Sequence, residues 1–144
     1  MKKILVINGP NLNMLGIREP GIYGELNYDS LVEFIREKAD ALGLETDCFQ
    51  SNCEGAIVER IQQAYKKYDA IIINPAAYTH TSIAILDALK AVGLPTVEVH
   101  LSDIGSREEF RRISYVSLYA LKTIKGKGFE GYADALEFLS KQSY

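Results

Sequence analysis

Two short runs, KILVIN (Lys3–Asn8) and DAIIIN (Asp69–Asn74), constrain the fold of this chain more than any other feature. Each is continuously apolar and neither alternates with polar residues. A strand of that kind must be covered on both faces, which is the habit of parallel sheets. Covering both faces takes helices, and helical patterns do alternate with β-rich runs along the whole chain. PTVEVH (Pro95–His100) and ALKTIK (Ala120–Lys125) read as further strands, and the weaker, alternating LETDCFQ (Leu44–Gln50) suits a sheet edge.

Helices are predicted between these strands. One begins at Ser30, where Ser30-x-x-Glu33 forms a capping box; Leu31, Phe34, Ile35 and Leu42 share its apolar stripe, and Gly43 provides a left-handed exit. A second opens at Ser51-x-x-Glu54 with Ile57, Ile61, Ala64 and Tyr65 inward, a third spans Thr81 to Val92, and Ser106-x-x-Glu109 caps a short one. Tyr132 to Gln142 closes the chain. Five strands with interleaved helices predict one α/β domain, residues 1–144, built as a flavodoxin-like doubly wound parallel sheet with helices on both faces. The 144 residues suffice for a continuous core without disulfides or metals.

Charge and cysteine content narrow the function classes. A net charge of −3, with scattered Arg and Lys, offers no broad basic face for nucleic acid. Cys48 and Cys53 form no C-x-x-C pair and read as reduced thiols without a zinc framework. The opening MKKILVIN is too short for a signal-peptide core or a membrane span, so the expected location is the cytoplasm, with no membrane partner.

In doubly wound sheets, ligands bind beyond the carboxyl ends of the strands. The residues there are Asn8-Gly9, Asn74 and His100-Leu101-Ser102. The connection after the first strand runs to roughly twenty residues, where such loops usually take about 2–6. Long ordered loops at a binding edge commonly serve as lids or binding segments. Within it, Glu19-Pro20-Gly21-Ile22 fits a type II turn that brings Arg18 and Tyr23 together. Deprotonating a tyrosine at pH 7 costs roughly 4 kcal/mol. A neighbouring guanidinium lowers an acidic pKa by about 1–3 units, so Tyr23 is the candidate base and Arg18 its activator.

Both histidines, His80 and His100, follow strands at this same edge, and Glu98 shares a strand face with His100 and could orient or charge it. A positioned imidazolium suits protonation of a leaving hydroxyl. THTSIA leads into a helix whose first N–H groups could hold an anion, and Arg111 could bind a carboxylate, although Arg107, Glu108, Glu109 and Arg112 around it equally describe a solvated face. GKGFEG (Gly126–Gly131) matches G-x-G-x-x-G, but the chain ends thirteen residues later at Tyr144, too soon for the acidic residue and second strand of a dinucleotide site. It reads as a glycine-rich turn between strand and helix.

Three segments, INGPNLNMLGIREPGIYG (Ile7–Gly24), NPAAYTHTSIA (Asn74–Ala84) and VEVHLSDIGSREEFR (Val97–Arg111), closely resemble the type II 3-dehydroquinate dehydratases, as does the ending GKGFEGYADAL. The resemblance implies a cofactor-free lyase of the shikimate pathway and chorismate and aromatic amino acid biosynthesis. Its reaction would be the anti elimination of water from 3-dehydroquinate through an enolate, giving 3-dehydroshikimate. By matching positions, Tyr23 is the proton-abstracting base, Arg18 the lid arginine, Asn11 the holder of a water near the enolate oxygen, His100 the general acid and Glu98 its partner. Asn74, His80, Leu101, Ser102 and Arg111 match substrate contacts, and Asp87 an aspartate reaching the site of a neighbouring subunit in a homododecamer of four trimers. Asp103, Gly105 and Ser106 depart from the family pattern, beside the carboxylate pocket. A flavodoxin-like module that binds an anion without chemistry and a flavin- or nucleotide-dependent reductase are the competing readings. The first gives no reason for a tyrosine, an arginine and a histidine to meet; the second requires a bound cofactor.

Overall fold

A computed structural model describes residues 1–17 and 26–142. Five strands, β1 (Lys3–Asn8), β2 (Glu45–Gln50), β3 (Ala70–Asn74), β4 (Thr96–His100) and β5 (Lys122–Lys125), form one parallel sheet in the order β2-β1-β3-β4-β5. This is the doubly wound, flavodoxin-like order, and its direction reverses between β1 and β3. Among the described residues, α1 (Tyr28–Ala41), α2 (Glu54–Gln63) and α3 (Ile83–Val92) connect the first four strands, 3-10 turns connect β4 to β5, and α4 (Glu130–Ser140) follows β5.

The side-chain period of two distributes the central strands between two cores. Ile4, Val6, Ile72, Val97 and Val99 pack against α1 and α4 through Leu31, Ile35, Tyr132, Leu136 and Leu139. Leu5, Ile7, Ile71 and Ile73 pack on the other face against Ile57, Ile61, Ile85 and Leu89 of α2 and α3. The continuous apolar runs are therefore two half-strands of core, one for each layer. β2, the weak alternating strand, lies at an edge as expected.

Helix starts differ from the sequence reading. α1 begins earlier, because Asn27 is the cap: its Oδ1 accepts from Ser30 N at 2.9 Å, and Ser30 Oγ accepts from Asn27 N at 2.7 Å. Ser30 is the third member of that box, and Glu33 turns outward to Arg36. Leu42 lies past the helix end and is 40% exposed, while Gly43 takes the expected left-handed conformation at φ 71°. α2 starts after Cys53, with Ser51 Oγ accepting from Cys53 N rather than capping the helix. Tyr65 falls beyond the end of α2 and is exposed. Ser106 caps nothing: the segment forms two short 3-10 turns, Ile104–Ser106 and Glu109–Arg111, the first capped by Asp103. GKGFEG is a turn with left-handed Gly126 and Gly128, and Gly131 packs its α4 backbone on Val99 and Ile124.

Candidate active site

At the carboxyl ends of β1, β3 and β4 lies a cleft of about 390 Å³. Asn11, Asn74, His80, His100, Leu101, Ser102 and Arg111 line it, so seven of the expected site residues meet in one place. The apolar wall comes from Leu12, Met14 and Leu15 of the long connection and Ile104 of the loop after β4.

The loops are brought close by backbone. Gly9 N donates to Asn74 O at 2.8 Å, and a Cβ on Gly9 would stand 2.4 Å from Pro75 O, so only glycine lets the chain after β1 lie against the chain after β3. Asn11 takes a left-handed conformation (φ 70°), tolerable for asparagine, and its N donates to Asn52 Oδ1 at 3.0 Å. Gln50 Nε2 adds bonds to Gly9 O and Asn13 Oδ1, tying the first part of the connection to the end of β2.

On β4, Glu98 is fully buried and His100 is 4% exposed, and His100 Nε2 pairs with Glu98 Oε2. Ser114 Oγ donates to the same carboxylate at 2.7 Å, and Thr123 Oγ1, the register partner on β5, donates at 3.1 Å. Burial by itself would raise the Glu98 pKa; the hydrogen bonds from His100, Ser114 and Thr123 and the imidazole's charge outweigh it and hold the group below the ordinary carboxylate value. An ionised Glu98 accepts from Nε2–H, which leaves His100 Nδ1 as the nitrogen able to exchange a proton with a ligand.

His80 is fixed differently. Its Nδ1 donates to Ile113 O at 2.7 Å; a carbonyl only accepts, so in the neutral ring Nε2 is an acceptor. At the helix start after His80, Ser82 Oγ accepts from Ile85 N at 3.0 Å, and neither Ser82 nor Ile83 lines the cleft. Arg111 reaches the cleft while its Nε lies 2.8 Å from Glu108 Oε2. Arg107, not among the expected site residues, also lines the cleft.

Asp87 sits exposed on α3 and is not part of this cleft. Asp103, Gly105 and Ser106 flank the wall without lining it; Asp103 instead faces Lys125 at 3.8 Å. Arg18, Tyr23 and the turn at Glu19–Ile22 lie outside the described residues. Sequence reasoning missed Ser114 and Thr123, which meet Glu98 only through the fold, and the buried hydroxyl of Tyr132.

A strand-end cleft at the reversal point of a doubly wound sheet, with a buried Glu–His pair in its wall, defines an α/β protein equipped for acid–base chemistry on a small polar molecule. Comparison with known proteins narrows the class. The Dehydroquinase class II family matches residues 2–140. A 3-dehydroquinate dehydratase of Clostridium perfringens is 57% identical over 140 residues, covering 96% of each chain. The type II dehydroquinase crystal structure from Butyrivibrio crossotus superposes with a TM-score of 0.93 at 51% identity, covering 97% of this chain and 98% of that one. The corresponding Propionibacterium acnes structure gives 0.93 at 44% identity, covering 99% and 98%. The chain belongs to the class II dehydroquinase family.

Proposed function

We propose that this chain dehydrates 3-dehydroquinate to 3-dehydroshikimate, with Tyr23 as base and His100 as acid. The Tyr23 phenolate, kept charged by Arg18, takes a proton from the carbon next to the ketone. The released electron pair moves onto the carbonyl oxygen, where a water held by Asn11 donates to the enolate. The enolate then re-forms the carbonyl and makes the ring double bond as the hydroxyl departs. His100 Nδ1–H protonates that hydroxyl so that it leaves as water, and Glu98 stabilises the imidazolium until then. Tyr23 then gives its proton to solvent and His100 takes one back, so both groups are restored and the balance is the loss of one water.

Arg111 and the main-chain groups at Leu101 and Ser102 receive the substrate carboxylate, while Asn74 and His80 bind ring hydroxyls. Asp87 serves the site of a neighbouring subunit in a homododecamer, and the single domain works in the cytoplasm. The observation that carries this reading is the buried Glu98–His100 pair opening onto a cleft lined by Asn11, Asn74, Ser102 and Arg111.

The deciding experiment adds 3-dehydroquinate to purified protein and follows the ultraviolet absorbance of the conjugated enone. Turnover is expected, and Tyr23→Phe should stay folded while losing nearly all of it. Wild-type protein that forms no enone sinks the activity; a Phe variant with substantial turnover removes Tyr23 as base.

A further inference from the structure

Asn8 and Asn74 are register partners at the ends of β1 and β3, side by side where the sheet order reverses. Both side chains meet the hydroxyl of Tyr132, which projects from α4 and has no exposed surface. Tyr132 Oη donates to Asn8 Oδ1 at 2.6 Å and accepts from Asn74 Nδ2 at 3.1 Å. Burial pushes the Tyr132 pKa far above its ordinary value, so the hydroxyl keeps its proton. A phenol has one proton; once it is given to Asn8, only acceptor capacity remains for Asn74. Asn74 is held at its other end as well, because Oδ1 accepts from Ala76 N at 3.1 Å. Its amide therefore has one orientation, with one Nδ2–H used by Tyr132 and the second left for whatever occupies the cleft it lines.

We infer that Tyr132 is a positioning residue for substrate binding: from inside the core it fixes which way the Asn74 amide faces, so that Asn74 meets the substrate as a donor. Without the hydroxyl, the Asn74 side chain would retain, among the described residues, only the Ala76 hydrogen bond. The substrate would then have to select one orientation of the amide from several, which weakens binding without touching the proton-transfer groups. This inference rests on the proposed role of Asn74 in holding 3-dehydroquinate.

The test is a double-mutant cycle with Tyr132→Phe and Asn74→Ala, measured with 3-dehydroquinate well below each variant's unfolding temperature. Tyr132→Phe should raise KM by roughly tenfold, the scale of one oriented hydrogen bond, with kcat within about twofold and the shape of the pH profile unchanged. In the Asn74→Ala background the same substitution should leave KM unchanged. A wild-type KM in folded Tyr132→Phe, or equal effects of the substitution in both backgrounds, would reduce Tyr132 to a structural core residue. Wild-type protein without turnover would instead remove the activity itself, a distinguishable failure. Should Tyr132→Phe not fold, side-chain amide exchange in the wild-type protein decides: one slowly exchanging Asn74 Nδ2 proton is expected, and two fast ones overturn the inference.

Discussion

Glu98 and His100 stand two residues apart on β4, side chains on the same face, and they pair inside the protein with almost no exposed surface between them. The carboxylate also receives Ser114 and Thr123, so its partners among the described residues are all donors. An arrangement of donors only around a buried carboxyl selects the anion.

Replacing Glu98 with Gln should separate this charge effect from shape. Turnover is expected to fall by about 10²-fold or more, the lower range for a general acid, read as kcat at saturating substrate. Stability gives a second measure. The folded-state pKa of Glu98 is depressed, so its contribution is complete above the unfolded value near 4.5 and is lost as pH falls through the lower folded value. Acid unfolding below about pH 4.5 should be shallower in Glu98→Gln. An identical acid profile would show that Glu98 is not the group whose protonation matters there.

Arg111→Ala should act on binding. One charge-assisted contact to a carboxylate is worth about 1.5–3 kcal/mol, so KM should rise roughly 10- to 100-fold with kcat little changed. Steady-state kinetics decide it; a loss confined to kcat would place Arg111 in the chemical step instead.

Gly9→Ala tests the close approach of the two loops. The added methyl would meet Pro75 O at 2.4 Å, and because the obstacle is backbone, no side chain can swing away. A cost of about 1–3 kcal/mol follows, lowering Tm by roughly 5 °C or more. A variant melting with the wild type would show that the loops separate at little cost.

The two thiols should differ in reactivity. Cys48 is partly buried, and burial together with the Asp47 charge pushes it up to about 11, so at pH 8 very little thiolate exists. Cys53 is exposed. A thiol reagent should modify one cysteine rapidly in the folded protein and both in denaturant. Equal rates for the two in the folded state would contradict this.

How far the fold was legible follows from the kind of signal each element carries. KILVIN and DAIIIN announce two-sided strands through composition alone, and strand ends then place Asn74 and His100 without knowledge of packing. Helix starts were less legible because Asn27, Ser30 and Glu33 offer two overlapping boxes, and the choice depends on Glu33 finding Arg36. Ser114 and Thr123 were out of reach, since nothing in VSLYALKTIK or its surroundings marks them until β5 pairs with β4. The place of Arg107 at the cleft was equally out of reach, since its charge-rich surroundings do not show which way the loop runs.

The pairing of Asn8 with Asn74 has a consequence for how the protein fails. Both belong to β1 and β3, interior strands of the sheet, and Asn74 forms part of the cleft. Amide protons on those strands are expected to reach deuterated solvent only when the whole domain opens, which would put this part of the cleft in the most slowly exchanging unit of the molecule. On heating, loss of the Asn74 contact should coincide with collapse of the domain, with no temperature interval in which the chain stays folded but that contact is gone.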